Sequence, residues 1–172
     1  MIAVQAIAGR PIFQIAFVVR DLEQALERYS AALGAAPWRC WTFGAEDHDY
    51  TEYRGRPTSF STRLALNHSF PQLELIQPLM GPSAHQDWLE RRGEGPHHVG
   101  IVVDSVLETI AQMARAGYPV VQSGAGIGPQ RDGAWAYFDT TDALGLMLEA
   151  VEPPPRMPPI EFAWPRDRAA KR

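Results

Sequence analysis

Four polar side chains sit singly inside apolar runs: Gln14 in IFQIAFVV, Glu74 in LELI, His98 in HVGIVV and Glu149 in LMLEA. A strand alternates its side chains between two faces. Gln14 then shares a face with Ala16 and Val18, and His98 shares one with Gly100 and Val102. Glu74 opposes Leu73 and Leu75, while Glu149 opposes Leu148. A carboxylate buried without a partner is strongly destabilising. No Lys or Arg lies within these strands to act as counter-ion, so the two carboxylates call for a shared positive partner. One divalent cation satisfies all four groups. Two carboxylates neutralise it, a neutral imidazole adds nitrogen, and an amide oxygen completes the set. The expected ligands are Gln14, Glu74, His98 and Glu149, around one ion of Zn, Ni, Co, Mn or Mg. His97, next in sequence to His98, is expected by the same alternation to face the other way. A lone Glu or His in a strand is ordinarily an edge or structural residue; these four stand apart because they repeat.

The elements that must position them recur as one pattern. Residues 12–19 are short, β-branched and aromatic, as in a strand buried on both faces. Asp21 with Gln24 three residues on forms a capping box, and Leu22, Ala25, Leu26, Tyr29 and Leu33 follow at helical spacing before Gly34. Residues 98–103 read as a second such strand. Ser105 with Glu108 makes a second capping box, Val106, Thr109, Ile110 and Met113 a second stripe, and Gly117 a second stop. QIAFVVRD and HVGIVVDS align position for position, pairing Gln14 with His98; LELIQP and LEAVEP pair Glu74 with Glu149. Further strands are expected near residues 59–67, 72–76, 134–138 and 146–151. An internal repeat governs the fold more than any local signal does. The expectation is an α+β fold of two tandem βαβββ modules whose sheets pair into a U-shaped, metal-centred cavity. The modules span residues 11–80 and 97–152, joined by a linker at 81–96 and followed by a Pro-rich C-terminal arm at 153–172, extended or disordered.

Composition narrows the classes of partner. Among 172 residues, 45% are hydrophobic and 21% charged, with a net charge of -4. That balance lacks the concentrated basic footprint of a nucleic-acid binder. Arg166, Arg168, Lys171 and Arg172 close the tail and read as a solvated cluster. No apolar run is long enough to span a bilayer, and the N-terminus lacks the charged region of a signal peptide. A cytoplasmic protein is expected, without membrane or nucleic-acid partners. The single cysteine, Cys40, reads as a small buried hydrophobe in a reducing compartment. The run SGAGIG, residues 123–128, lacks the Lys-Ser/Thr of a phosphate loop and reads as a flexible turn over the site. HDYTEYRGRP, with Glu46, Asp47, Asp49 and Glu52 in and around it, reads as a solvated acidic loop.

The stretches QIAFVVRDLEQALERYSAALG and HHVGIVVDSVLETIAQMARAG resemble the paired modules of the vicinal oxygen chelate superfamily. That group includes glyoxalase I, methylmalonyl-CoA epimerase, extradiol dioxygenases, and fosfomycin- and bleomycin-resistance proteins. The resemblance covers residues 11–152, and DWLERRGEGPHHVGIVVDSV with LELIQPL is most similar to the epimerase-like branch. It implies a ligand on the first and last strand of each module, at the same four positions. Epimerases of the group usually carry His at the first and often Gln at the second; Gln14 and Glu74 instead resemble eukaryotic-type glyoxalase I. Gln14 also departs from the two-histidine sets of the dioxygenases and fosfomycin-resistance enzymes. The resemblance therefore implies a divalent-metal-dependent isomerase or epimerase moving a proton alpha to a carbonyl through a metal-bound enolate. Glu149 takes the role of base and Glu74 acts on the opposite face. The substrate implied is a small carbonyl compound, an acyl-CoA or a dicarbonyl, and the assembly a homodimer. Two alternatives stand beside it: a glyoxalase I-like lyase acting on a hemithioacetal, and a non-catalytic small-molecule binding or resistance protein. Arg54, Arg63, Tyr53 and Trp135 are the candidate substrate contacts, with Trp38, Trp41 and Tyr50 as further aromatics able to line a pocket.

Overall fold

Caps decide where strand gives way to helix. Asp21 accepts a hydrogen bond from the Gln24 amide and opens helix α1 (Leu22–Leu33), which Gly34 closes in the left-handed conformation. Ser105 does the same for α3 (Val106–Arg115) through the Glu108 amide. In the computed structural model, which describes residues 4–166, each of these helices follows a strand: β1 (Ile12–Val18) and β7 (Gly95–Val102). Between them run β2 (Trp38–Phe43), β3 (Tyr50–Tyr53), β4 (Arg56–Pro57), β5 (Ser61–Leu66), β6 (Gln72–Met80) and helix α2 (Ala84–Arg92). After α3 come β8 (Val120–Ile127), β9 (Gly133–Phe138), the short helix α4 (Thr141–Leu144), β10 (Met147–Glu152) and β11 (Phe162–Trp164). The architecture is α+β.

All strands join one sheet in the order β11-β2-β5-β6-β1-β7-β10-β9-β8-β3-β4. Its centre is the antiparallel pair β1·β7, flanked on one side by β6, parallel to β1, and on the other by β10, parallel to β7. Helices α1 and α3 cover one face. Leu22, Ala25 and Leu26 pack on Cys40, Ala65 and Leu75, and Val106 and Met113 pack on Ile101, Phe138 and Leu148. Gln14, Ala16 and Val18 alternate toward the opposite face, as their spacing requires. There α2 closes one end of the hollow by seating Ala84, Trp88 and Leu89 against Val18, Tyr137 and Met147.

Three expectations need correction. Residues 81–96 are not plain linker: Ser83 caps α2 through the Gln86 amide, and the helix enters the core. SGAGIG is not a flexible turn but part of β8, paired to β9 and β3. Gly124 there lets the Trp135 indole lie flat, since a Cβ would meet it at 2.8 Å. HDYTEYRGRP is likewise no free loop; it carries β3 and β4, and Asp49 accepts a hydrogen bond from Arg131 at 2.8 Å.

Two segments cross the sheet in opposite senses. The connection from β2 to β5 travels to the far side, where β3 pairs with β8. The stretch after β10 returns, and β11 pairs with β2. This arm is held by Trp41 Nε1 donating to the Pro158 carbonyl at 3.0 Å and by Thr42 donating to Glu161 at 2.7 Å. Arg168, Lys171 and Arg172 lie outside the described residues. No helix among the described residues is long and apolar enough to cross a membrane.

Candidate metal centre

Strand register places the four polar residues in two adjacent cross-strand rows. In one row Gln14 faces Gly100, and Gly100 faces Glu149. In the next, Glu74 faces Ala16, and Ala16 faces His98. Each pair of polar side chains is thus separated by one small residue, Gly100 or Ala16, leaving a hollow that the longer side chains surround. A Cβ on Gly100 would stand 3.1 Å from Gln14 Oε1 and 2.9 Å from the Phe13 ring, so the position tolerates only glycine without a shift.

All four groups are buried, none more than 7% exposed. His98 Nε2 stands 3.3 Å from Glu74 Oε2 and 3.2 Å from Glu149 Oε2, yet makes no hydrogen bond. Those separations are the ones expected between donors sharing one small cation, whose bonds to nitrogen and oxygen are about 2.0–2.2 Å. Without that cation, burial would depress the imidazolium, but Glu149 and Glu74 outweigh it and lift the His98 pKa to about 9. Burial raises the pKa of Glu74, and Glu149 adds to the shift while His98 opposes it. Gln14 Nε2 donates to Gln72 Oε1 at 3.1 Å, leaving the amide oxygen for the hollow.

His97 departs from the expected orientation. The β1·β7 register slips between Ala16 and Phe17, so His97 is an extra residue opposite no partner. Such a bulge turns two successive side chains to one face. His97 Nδ1 lies 2.9 Å from His98 Nδ1, and its ring packs on His85 and Trp88. A matching slip between Ile12 and Gln14 turns Phe13 into the cavity.

His85, from the first turn of α2, completes a buried aromatic cluster. Its Nε2 is 3.1 Å from the Tyr137 hydroxyl, and Tyr137 is the cross-strand neighbour of Glu149. Burial, with Glu149 and Glu74 close by, holds the Tyr137 phenol well above its usual pKa, so it stays protonated. Burial pushes the His85 pKa down to about 3 and drives His97 well below the usual range, keeping both neutral. One ring nitrogen from each of His85, His97 and His98 lies within 4.8 Å of the others, a trio able to hold a metal ion. The sequence carried a signal for His85: a capping box at Ser83 and Gln86, then His85, Trp88 and Leu89 at helical spacing.

A cavity of about 260 Å³ opens onto Gln14, Glu74 and Glu149, walled by Phe43, Phe60 and Trp135. Of the remaining candidate contacts, Arg63 is held outside it in a double hydrogen bond to Glu23 at 2.7 and 2.9 Å. Tyr53 and Arg54 line a second cleft of about 350 Å³, where Arg54 pairs with Asp87 at 3.0 Å. Trp38 is wholly buried beneath α1, and Tyr50 is exposed. The spacing of the sequence did not single out Arg39, Phe13 or Phe43, all of which border the cavity.

A family model described as "Glyoxalase/Bleomycin resistance protein/Dioxygenase superfamily" matches residues 13–138. No curated protein matches the chain. Among solved structures, methylmalonyl-CoA epimerase from Mycobacterium tuberculosis is 24% identical, with a TM-score of 0.59 over 90% of this chain and 94% of that one. A hypothetical protein from Bacillus halodurans C-125 is 19% identical, with a TM-score of 0.57 over 88% and 99%. A variant of Streptomyces coelicolor methylmalonyl-CoA epimerase, in complex with 2-nitronate-propionyl-CoA, is 20% identical, with a TM-score of 0.55 over 87% and 99%.

Proposed function

The chain belongs to the glyoxalase/bleomycin resistance protein/dioxygenase superfamily, and from that premise we propose that it is a divalent-metal-dependent isomerase moving a proton alpha to a carbonyl, in the manner of an epimerase. Gln14, Glu74, His98 and Glu149 hold the cation. The observation that carries this reading is the His98 Nε2 atom, buried without a hydrogen bond between two carboxylates. The histidine trio is the weaker holder, because it supplies no charge to offset a dication, whereas Glu74 and Glu149 supply two. A divalent cation supplies Lewis acidity, lowering the pKa of a carbon acid whose carbonyl oxygen it binds.

The protein's own groups do the rest. Glu74 on β6 and Glu149 on β10 reach the hollow from opposite sides of the β1·β7 pair. Glu149 takes the alpha proton as base; Glu74, which takes up a proton from solvent as the substrate binds, gives it to the other face of the planar carbanion, inverting the centre and leaving Glu149 protonated for the reverse turnover. Phe43, Phe60 and Trp135 exclude water from the exchanging carbon. An acyl-CoA or dicarbonyl substrate fits this chemistry, in a protein that acts as a homodimer.

The test is deuterium exchange at the alpha carbon of a 2-methylmalonyl thioester by manganese-loaded protein, with the glutathione hemithioacetal of methylglyoxal run in parallel. Glu149→Gln is expected to abolish exchange. Undiminished exchange in that variant refutes its role as base, and turnover of the hemithioacetal alone assigns the lyase reading. Loss of the cation from His85→Asn and His97→Asn, but not from Glu74→Gln, moves the ion to the histidine trio.

A further inference from the structure

Among the described residues, Arg39 is the one Arg or Lys bordering the cavity. It lies on β2 in the same cross-strand row as the centre: Arg39 faces Leu66, Leu66 faces Glu74, and Glu74 faces Ala16. Two interstrand spacings put its Cα roughly 10 Å from that of Glu74, within reach of a side chain several bonds long. Its Nε is buried and makes no hydrogen bond, and among the described residues Arg39 has no carboxylate partner. Its guanidinium rests over the Trp41 ring at 5.6 Å. Of the arginines weighed as substrate contacts, Arg63 is neutralised by Glu23 and Arg54 by Asp87. Glu152, the remaining acid on the cavity wall, is engaged by the Val106 amide at the start of α3.

The charge count sets the ligand. Two carboxylates offset a dication, His98 is neutral as a ligand, and Arg39 remains as a surplus positive charge in an apolar wall. Arg39 is half-buried with its Nε wholly so, and a charge drawn partly out of water is unfavourable until a partner arrives. We propose that Arg39 anchors a carboxylate of the substrate, one separate from the oxygens that meet the metal centre, so that the cavity selects carbonyl compounds bearing a remote acid group. The planar fork of a guanidinium suits two-point binding of a carboxylate, and the Arg39 Nε–H has no partner of its own. The proposal takes the position of the cation from the proposed function, but not the proton-transfer step.

The probe pair is 2-oxoglutarate and its 5-methyl ester, which share the 2-oxo acid end and differ only in the remote charge. Calorimetric titration of the manganese-loaded protein is expected to show the acid bound at least tenfold more tightly than the ester. Arg39→Met is expected to bring the two within about twofold, and Arg39→Lys, which keeps the charge but not the fork, to give an intermediate ratio. A wild-type ratio near one, no binding of either probe, or a ratio unchanged in Arg39→Met overturns the proposal. Deuterium exchange at C3 of the same compounds reads the proposed function separately. An Arg39-dependent ratio without exchange keeps the anchor and retires the proton transfer; exchange without a ratio does the reverse.

Discussion

At the scale of single residues the centre is defined as much by what is small as by what ligates. Ala16 and Gly100 each follow a proposed ligand by two positions, and together they make the hollow that Gln14, Glu74, His98 and Glu149 surround. Gly100→Ala forces Gln14 or Phe13 aside, and manganese affinity is expected to fall roughly tenfold, the usual lower bound for disturbing a ligand's support. Equilibrium dialysis checks it; an unchanged affinity shows that Gln14 is dispensable. His98 gives a second expectation. With its pKa lifted to about 9, it holds a proton that an unfolded chain releases near 6.5. The stability this lends the cation-free protein is fully present below about 6.5 and is lost as pH rises through about 9. A cation must expel that proton to bind. Apparent manganese affinity of the folded protein is therefore expected to climb with pH until about 9 and then level off, as read by competition with a chelator. A flat profile means that proton and ion do not share His98.

At the scale of elements, α2 decides how the hollow is closed. Trp88 is 7% exposed, packs on His97 at a ring separation of 5.2 Å, and carries Arg92 over its outer face at 4.4 Å. Trp88→Ala is expected to cost about 3–5 kcal/mol in urea unfolding, and Trp88→Phe considerably less; a cost below about 1 kcal/mol would show that α2 is only loosely docked. This helix also marks the limit of what sequence periodicity reveals. The caps at Asp21 and Ser105, the strands bearing Gln14 and His98, and the shared face of the four polar residues follow from spacing alone. Period-two alternation assumes an unbroken strand, and the bulges at Phe13 and His97 break it, so those residues appear on the face where counting does not put them. Gly-rich β8 reads as a turn because its glycines carry no apolar alternation, although it pairs with β9 on one side and with the long-range partner β3 on the other. Arg39 was hidden for a similar reason: its importance depends on what fails to reach it, and a sequence does not display that.

At the scale of the whole molecule, the two crossing segments bind the sheet from both ends. The strap carrying β3 pairs with β8, and the arm carrying β11 pairs with β2. Pro153, Pro154 and Met157 of the arm also border the cavity, so the arm both walls the site and holds the sheet. Truncation after Glu152 is expected to lower substrate affinity and to make the protein self-associate in a concentration-dependent way, seen by light scattering. A truncated chain that remains monodisperse excludes a protective role for β11. The reason lies in the backbone of Trp38–Phe43, six residues reading WRCWTF, whose outer edge β11 covers at Trp38, Arg39 and Cys40. Uncovered, this would be a long, flat, aromatic margin of the kind that recruits strands from other molecules. The finished sheet ends instead on strands of three and two residues, β11 and β4, the latter bearing Pro57. The sheet's open margins are thus closed by chain that has already crossed from the other side.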